Sequence, residues 1–204
     1  NPVVESQLVA RPGARDELGL DDGVVHLLTV GRLTSVKRLD ILIAALSRLR
    51  HEGSELRTWI VGEGEERESL QAAVDRAGLG GTVSLMGARA PRETARWMCA
   101  ADIFVLCSEG EGGGNVVLEA MSAGLAVVAT PVGWSRDFIV SGQNGVHFPI
   151  GDAAALGSVL EELLRSPERV RSLGGAARRT IMDENLNWGG CAQRYLQCYQ
   201  ELCG

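Results

Sequence analysis

The sequence predicts an α/β fold built on a doubly wound, Rossmann-like parallel sheet of about six strands with helices on both faces. Short apolar runs alternate with segments of helical periodicity, the pattern typical of parallel sheets. The chain has 204 residues, of which 45% are hydrophobic, enough for one domain with a full core. Glycine accounts for 26 residues and follows several of the apolar runs, which indicates tight turns after the strands.

The predicted elements follow one another along the chain. Strands are predicted at residues 24–30, 58–61, 82–86, 103–106 and 125–130, with an edge strand at 145–148. Helices are predicted from Asp40 as an N-cap, over 65–77, from Pro91 to Ala100, after the turn at 112–114, from Asp152 to Leu164, from Pro167, and over 187–202. Residues 1–22 are predicted to be a linker that leads into a single domain over residues 23–204.

Composition argues against several classes of function. A net charge of −6 and an aromatic content of 4% argue against a nucleic-acid surface, so no nucleic-acid partner is expected. The five cysteines are odd in number and form no C-x-x-C pair, which favours reduced thiols in a cytoplasmic protein. No apolar run reaches the ~20 residues that span a bilayer.

The segment 108–124 carries the most functional information. Its sequence is SEGEGGGNVVLEAMSAG, and it leads from a strand that ends at Leu106 through a glycine-rich turn into an apolar helix. Such a turn leaves backbone N–H groups, here those of Asn115 and Val116, free to bind an anion beside the positive end of the helix dipole. An ordinary glycine loop with Asn115 as the helix N-cap is the alternative, and both can hold together.

Two carboxylates, Glu111 and Glu119, flank this turn at a spacing of eight residues. Carboxylates are poor partners for phosphate. Their presence beside an anion site therefore favours a ligand with both phosphates and hydroxyls, that is, a sugar nucleotide. Glu119 lies within an apolar run, and a buried carboxylate needs donors such as ribose hydroxyls. A structural cap or ion pair remains open for Glu119, and a solvated surface position for Glu111.

A second candidate group follows the first strand. Gly31 permits close approach of a ligand, and Arg32 and Lys37 offer complementary cations for a diphosphate. Two solvated surface cations are the alternative. The sequence contains no D-x-D motif, and Asp21-Asp22 precedes the first strand, at the opposite end of the sheet. No metal or other cofactor is therefore expected. Arg32, Lys37 and the helix N-terminus would stabilise a diphosphate leaving group.

Four segments together resemble a known family. The first is Val30 through Lys37 with Asp40 and Leu42 to Ala45, the second is Ile60 to Gly64, and the third is Val83 to Gly87. The fourth is Ala101 through Ser108, then Glu111 to Met121 and Gly124, with Val127 to Thr130 and Asn144-Gly145. With them the chain resembles the C-terminal, donor-binding domain of retaining two-domain (GT-B) glycosyltransferases of group 1, family four. The E-x7-E spacing in its strand–turn–helix setting is the most specific part of the resemblance.

The resemblance implies a role for each candidate residue. Arg32 and Lys37 would bind the donor diphosphate beside Gly31, and the amides of Asn115 and Val116 would hold phosphate oxygens. Glu119 would bind the ribose hydroxyls. Glu111, next to Gly112, would contact the transferred sugar near its anomeric carbon, and the turn Gly87, Ala88, Arg89 would border the base. Catalysis would fall to Glu111, Arg32 and Lys37, with retention of configuration and without a metal.

The resemblance also implies partners. The donor would be a UDP-, GDP- or ADP-sugar carrying a hexose. An N-terminal acceptor domain, absent from this chain, would complete the enzyme, and the domain alone is expected to bind donor weakly and to be inactive. The enzyme would be cytoplasmic, contact the inner face of the membrane through the missing half, and serve polysaccharide biosynthesis. Half of a sugar-nucleotide epimerase of the same architecture and a non-catalytic nucleotide-binding module are the alternatives.

Three positions depart from the family pattern. Many relatives have an aromatic residue after the first motif glycine, where this chain has Gly112-Gly113-Gly114. Relatives often have Lys-Gly where Lys37-Arg38 stands, and Gly-Gly where Gly133-Trp134 stands. The glycines would leave more room in the turn, and Trp134 would reshape the pocket for the donor sugar.

Overall fold

A computed structural model describes residues 11–49, 55–184 and 186 of the chain. Its strands are β1 (Val25–Val30), β2 (Leu56–Val61), β3 (Val83–Gly87), β4 (Ile103–Leu106), β5 (Ala126–Ala129) and β6 (Val146–His147). Its helices are α1 (Arg11–Leu18), α2 (Leu39–Leu46), α3 (Arg67–Arg76), α4 (Pro91–Ala100), α5 (Asn115–Ala123), α6 (Trp134–Phe138), α7 (Ala153–Arg165) and α8 (Pro167–Asp183), with a 3₁₀ turn at Ser35–Lys37. The helix predicted over 187–202 lies outside the described residues.

The six strands form one parallel sheet in the order β3-β2-β1-β4-β5-β6. The predicted doubly wound α/β fold is confirmed. The chain winds outward from β1 to β3, then crosses back and continues from β4, so β1 and β4 are neighbours, with Leu27 beside Ile103. Ligands in open α/β sheets bind at such a switch point, outside the carboxyl ends of the strands. The fold therefore marks the ends of β1 and β4 as the place for a site.

Two hydrophobic layers, one on each face of the sheet, hold the fold together. Adjacent strand residues point to opposite faces, so Leu27 belongs to one buried cluster and Leu28 to the other. Helices α2, α3 and α7 cover the first face, while α4 and α5 cover the second, and α8 contributes to both. Strands buried on both faces explain why β4 and β5 are apolar at every position.

The linker prediction for residues 1–22 is wrong within the part that the structure describes. Residues 11–18 form helix α1, which packs on α4. Arg15 is buried there, with an exposed fraction of 6%, and its guanidinium donates to Ala100 O at 2.9 Å, Asp22 Oδ1 at 3.0 Å and Asp102 Oδ2 at 2.8 Å. Helix α1 is therefore held by the packing of Ala14 and by the hydrogen bonds of Arg15, two of whose three acceptors lie far along the chain.

The cap predicted at Asp40 is also wrong, and so is the alternative that made Asn115 a cap. Arg38, in the left-handed conformation at φ 46° and ψ 43°, precedes α2, and Asp40 lies in the first turn, where it accepts two bonds from Arg38. Gly114, with φ 78°, precedes α5, so Asn115 is the first helical residue rather than the cap. Both helices begin after a residue in the left-handed conformation. Neither start has a capping side chain from which it could be predicted.

The loop Gly62-Glu63-Gly64 after β2 serves packing. A Cβ at Gly62 would lie 1.8 Å from Gly31 O, and one at Gly64 would lie 2.3 Å from Leu33 O. The loop after β1 donates two backbone hydrogen bonds to this region: Gly31 N–H donates to Val61 O, and Leu33 N–H donates to Glu63 O. These glycines are required because the loop after β2 presses against the loop after β1 and holds it in place.

Candidate functional site

An open cleft of about 410 Å³ lies outside the carboxyl ends of β1 and β4. Six of the residues predicted for the site line it: Gly31, Lys37, Glu111, Asn115, Val116 and Glu119. Val30, Gly113 and Gly114 complete the lining. The strand order brings the loop after β1 against the loop after β4, and this juxtaposition assembles the two predicted groups into one site.

Size does not distinguish this cleft from others on the molecule. Two grooves of about 350 and 380 Å³ lie elsewhere, one at the amino end of β2 and one between the α6–β6 loop and α8. The cleft at the switch point differs in chemistry, because a lysine, two carboxylates and the N-terminus of a helix meet in it. A small number of polar groups that converge in a concave surface is the usual signature of a ligand site.

Lys37 and Glu111 form an ion pair across the cleft. Lys37 Nζ lies 2.5 Å from Glu111 Oε1, and Ser108 Oγ donates to the same oxygen at 2.6 Å. The Glu111 side chain is only 11% exposed, which excludes the solvated surface alternative. Two donors saturate Oε1, while Oε2 accepts no hydrogen bond from the described residues. Glu111 therefore presents one free oxygen to a ligand.

Glu119 lies on α5 at the same cleft and differs from Glu111 in its hydrogen bonding. Its carboxylate is half-buried and has no hydrogen bond within the described residues. Burial raises its pKa from the ordinary value of 4.5, because the charged form is poorly solvated there. Because Glu119 has no partner among residues 11–49, 55–184 and 186, it is neither a helix cap nor half of an ion pair within those residues. A half-buried carboxylate without a donor is suited to receive donors from a ligand.

The N-terminus of α5 points a third functional group into the cleft. The first N–H groups of a helix have no acceptor within it, and the helix dipole adds partial positive charge at that end. Asn115 and Val116 are the first two helical residues, and both line the cleft. Together with the Lys37 ammonium they can bind an anion.

Other predicted residues lie outside this lining. Arg32 is exposed and lines a small neighbouring cavity of about 10 Å³ that shares Gly31 and Lys37 with the cleft. Gly112 is exposed on the turn. Gly87 ends β3, two strands away from β1, and Ala88 and Arg89 follow it. All of them lie at the carboxyl edge of the sheet, and of these Arg32 and Gly112 adjoin the cleft.

Sequence reasoning missed Ser108. It is fully buried, and its carbonyl accepts from Thr130 Oγ1 at 2.6 Å while its hydroxyl holds Glu111. Its position directly behind β4, three residues before Glu111, was the available signal. Within the described residues, no three His, Cys, Asp or Glu side chains converge as a metal site would require. The described helices include none with the length and apolarity to cross a bilayer.

Comparison with known proteins decides the family. Residues 11–180 match the model of the family described as "Glycosyl transferases group 1". This chain belongs to the group 1 glycosyltransferase family. Among curated proteins it is 34% identical over 193 residues to a D-inositol 3-phosphate glycosyltransferase of Pseudarthrobacter chlorophenolicus, a match that covers 93% of this chain and 46% of the relative.

Solved structures of glycosyltransferases share the fold. Sucrose-phosphate synthase from Thermosynechococcus elongatus matches 98% of this group 1 chain and 51% of its own, with a TM-score of 0.89 and 27% identity. HepE of Anabaena in complex with UDP-glucose matches 98% of this chain and 56% of its own, with a TM-score of 0.86 and 23% identity. The C-terminal domain of LpcC from Francisella tularensis matches 90% of this chain and 98% of its own, with a TM-score of 0.80 and 22% identity.

The predicted resemblance to a GT-B donor-binding domain is thus confirmed for family and fold. The chain spans about half the length of the curated relatives that it matches. It covers nearly all of a solved C-terminal domain and about half of the longer solved chains.

Proposed function

We propose that this chain is the donor-binding part of a retaining glycosyltransferase that moves a hexose from a nucleotide sugar to an acceptor without a metal. The observation that carries the proposal is the convergence of Lys37, Glu111, Glu119 and the N-terminus of α5 on one cleft at the switch point of the sheet. Membership of the group 1 family and the UDP-glucose bound by the structurally similar HepE support it.

The diphosphate would lie between Lys37 and the start of α5. The Lys37 ammonium and the amides of Asn115 and Val116 are the donors that the cleft offers to an anion. Arg32, at the adjoining cavity, would reach the same group from the side. The bond to be broken joins the anomeric carbon to a phosphate oxygen, so these donors would stabilise the negative charge that develops on the leaving group.

The two carboxylates would hold the hydroxyl-bearing parts of the donor. Glu119, which lacks a donor among the described residues, would accept from the ribose hydroxyls. Glu111 would accept from the transferred sugar through Oε2, while Lys37 and Ser108 fix its other oxygen. A carboxylate near the anomeric carbon also favours the positive charge of an oxocarbenium-like transition state.

The remaining parts of the proposal rest on the family alone. Gly87, Ala88 and Arg89 would border the base, and Gly112 would lie beside the transferred sugar. An N-terminal acceptor domain would complete the enzyme, so this chain alone should bind donor and form no glycoside. From the family we also expect the enzyme to act in polysaccharide biosynthesis, in the cytoplasm at the inner face of the membrane.

Calorimetric titration of the chain with UDP, GDP and ADP tests the proposal. Wild type should bind at least one of them, and Lys37→Met should weaken binding about 10- to 100-fold, the loss of one charge-assisted hydrogen bond. Glu119→Gln should weaken it about tenfold. Glu162→Gln on α7 and Arg57→Gln at the amino end of β2 are matched controls, since both side chains are exposed and far from the cleft. No binding of any nucleotide by wild type would overturn the proposal.

Lys37 provides an independent measurement. It is the only lysine among the 20 Lys and Arg residues of the chain. An amine-specific reagent therefore modifies one side chain, which peptide mapping separates from the N-terminal amine. The nucleotide should slow modification of Lys37; an unchanged rate at saturating nucleotide would place the diphosphate elsewhere.

A further inference from the structure

Trp134 is bonded to the turn that lines the cleft. It is the first residue of α6, and its backbone N–H donates to Gly113 O at 2.7 Å. Its indole Nε1–H donates to Asn115 Oδ1 at 3.0 Å. Gly113 and Asn115 both line the cleft, so the backbone and the side chain of Trp134 are fixed to its wall.

The indole fills the space that a side chain at position 113 would take. A Cβ built on Gly113 would lie 3.0 Å from the indole Nε1 and 3.6 Å from Cε2. A Cβ on Gly133 would lie 2.4 Å from Gly113 O and 2.9 Å from Glu111 Cβ. The two loops interlock through glycines on both sides, and this interlock brings Trp134 to the Glu111 end of the cleft.

The Trp134 residue stays partly exposed in spite of these contacts. Trp134 is 36% exposed, the aromatic member of the five exposed large hydrophobic side chains in the described residues. Phe138 supports it from one side, with ring centroids 5.7 Å apart and planes at 46°. An aromatic ring held rigidly at the edge of a polar cleft loses little conformational entropy when a ligand covers it.

We infer that the Trp134 indole, which adjoins the cleft through its bonds to Gly113 and Asn115, selects the transferred sugar by stacking on the apolar C–H face of a pyranose ring. A pyranose presents hydroxyls around its rim and C–H groups on its faces. Glu111 Oε2 can accept from the rim, and the indole can cover a face, so the two groups recognise both parts of one ring. The inference rests on the proposed function, because it places the sugar of a nucleotide sugar beside Glu111.

A purely structural role makes a different set of predictions. If Trp134 only held Asn115 and the start of α5, its loss would weaken binding of the phosphate part of the ligand. If it stacks on the sugar, its loss would leave the affinity for a nucleoside diphosphate unchanged and weaken the affinity for the nucleotide sugar. The two ligands therefore separate the two roles.

The test is calorimetric titration of wild type, Trp134→Ala and Trp134→Phe with UDP and with UDP-glucose. Trp134→Ala should lose about threefold to tenfold in affinity for UDP-glucose, the typical contribution of an aromatic contact, and keep its affinity for UDP. Trp134→Phe retains a ring but no donor for Asn115, and it should keep most of the affinity for UDP-glucose. Val140→Ala, at a side chain 53% exposed, is the matched control and should bind both ligands as wild type does.

Substitution of Gly113 gives a second measurement. Gly113→Ala should displace the indole and lower the affinity for UDP-glucose but not for UDP. In the Trp134→Ala background the same methyl group should cause no further loss of affinity. Equal losses for UDP and UDP-glucose, no loss for either, or additive effects of the two substitutions would each overturn the inference. The same titrations are made with GDP and ADP and their glucose derivatives, so that the pair that wild type binds decides the inference. Failure with every nucleotide would overturn the proposed function itself.

Discussion

The two ends of the sheet carry similar kinds of side chain in opposite conditions. At the amino end, Arg15 is buried with acceptors on three residues, and Asp102 accepts from Arg15 and from the His26 backbone N–H. Trp59 Nε1–H donates to His26 Nδ1 at 3.2 Å, and His26 Nε2 lies 3.0 Å from Asp21 O. At the carboxyl end, Glu119 accepts no hydrogen bond from a described residue, and neither does Glu111 Oε2.

The comparison separates polar groups that stabilise the fold from polar groups that are available to bind a ligand. A buried charge with complete partners fixes one conformation, and removal of a partner is costly. A half-buried charge without partners costs stability until a ligand supplies them, a common condition of functional sites. The same sheet therefore has one end that contributes to folding and one end that binds.

The largest effect should follow loss of Arg15. Arg15→Ala removes a side chain that is 7% exposed, together with the hydrogen bonds that it donates to Ala100 O and Asp102, so unfolding in urea should show a loss of about 3 kcal/mol. Arg96→Ala, which breaks the exposed pair with Glu17 across the same α1–α4 contact, should cost at most about 1 kcal/mol. Equal losses in the two variants would show that α1 contributes by packing alone.

His26 should make the amino end sensitive to acid. Burial is the main cause that lowers its pKa below 6.5. The unfolded chain then binds a proton more tightly than the folded chain, so stability is complete above pH 6.5 and is lost as the pH falls toward the lowered pKa. The slope should reach at most about 1.4 kcal/mol per pH unit, measured by urea unfolding at several pH values. In His26→Gln this slope should be absent; an identical slope would assign the acid sensitivity to other groups.

Glu119 should give the carboxyl end the opposite dependence. Its raised pKa means that the folded chain binds the proton more tightly, so its contribution to stability falls as the pH rises above 4.5. Glu119→Gln should therefore be more stable than wild type at pH 7, by at most about 1 kcal/mol because solvent screens a partly exposed charge, and the difference should vanish toward pH 4.5. Glu162→Gln should show no such gain. A destabilised Glu119→Gln protein would mean that the carboxylate has a structural partner.

The smallest effect concerns Arg38, whose backbone lies at φ 46°. Its guanidinium pairs with Asp40 and Glu109, and both pairs are exposed. Arg38→Ala and Arg38→Gly lose the same ion pairs, but only alanine keeps the strain of the left-handed conformation. The glycine variant should be more stable than the alanine variant by about 0.5–1 kcal/mol in thermal unfolding. Greater stability of the alanine variant would argue against a left-handed residue before α2.

Several features were open to prediction because their cause is local. Runs such as Ile103 to Leu106 are apolar at each position, which predicts a strand buried on both faces, and the E-x7-E segment lies between such a strand and a helix. Helix α1 was not predictable in this way, since its polar sequence gains its partners from residues 85 and 87 positions away. The contact of Lys37 with Glu111 spans 74 positions and depends on the strand order.

The amino-acid sequence by itself determined the order of the six strands and of most helices between them, the glycine-rich turn before α5, and the residue types available for binding. Tertiary structure alone decided that β1 lies beside β4, that Lys37 meets Glu111, that Glu119 has no donor among the described residues, and that Trp134 covers Gly113. The physical reason is range. Periodicity and turn chemistry act over a few residues, whereas these contacts arise when the packed sheet brings distant loops to one edge.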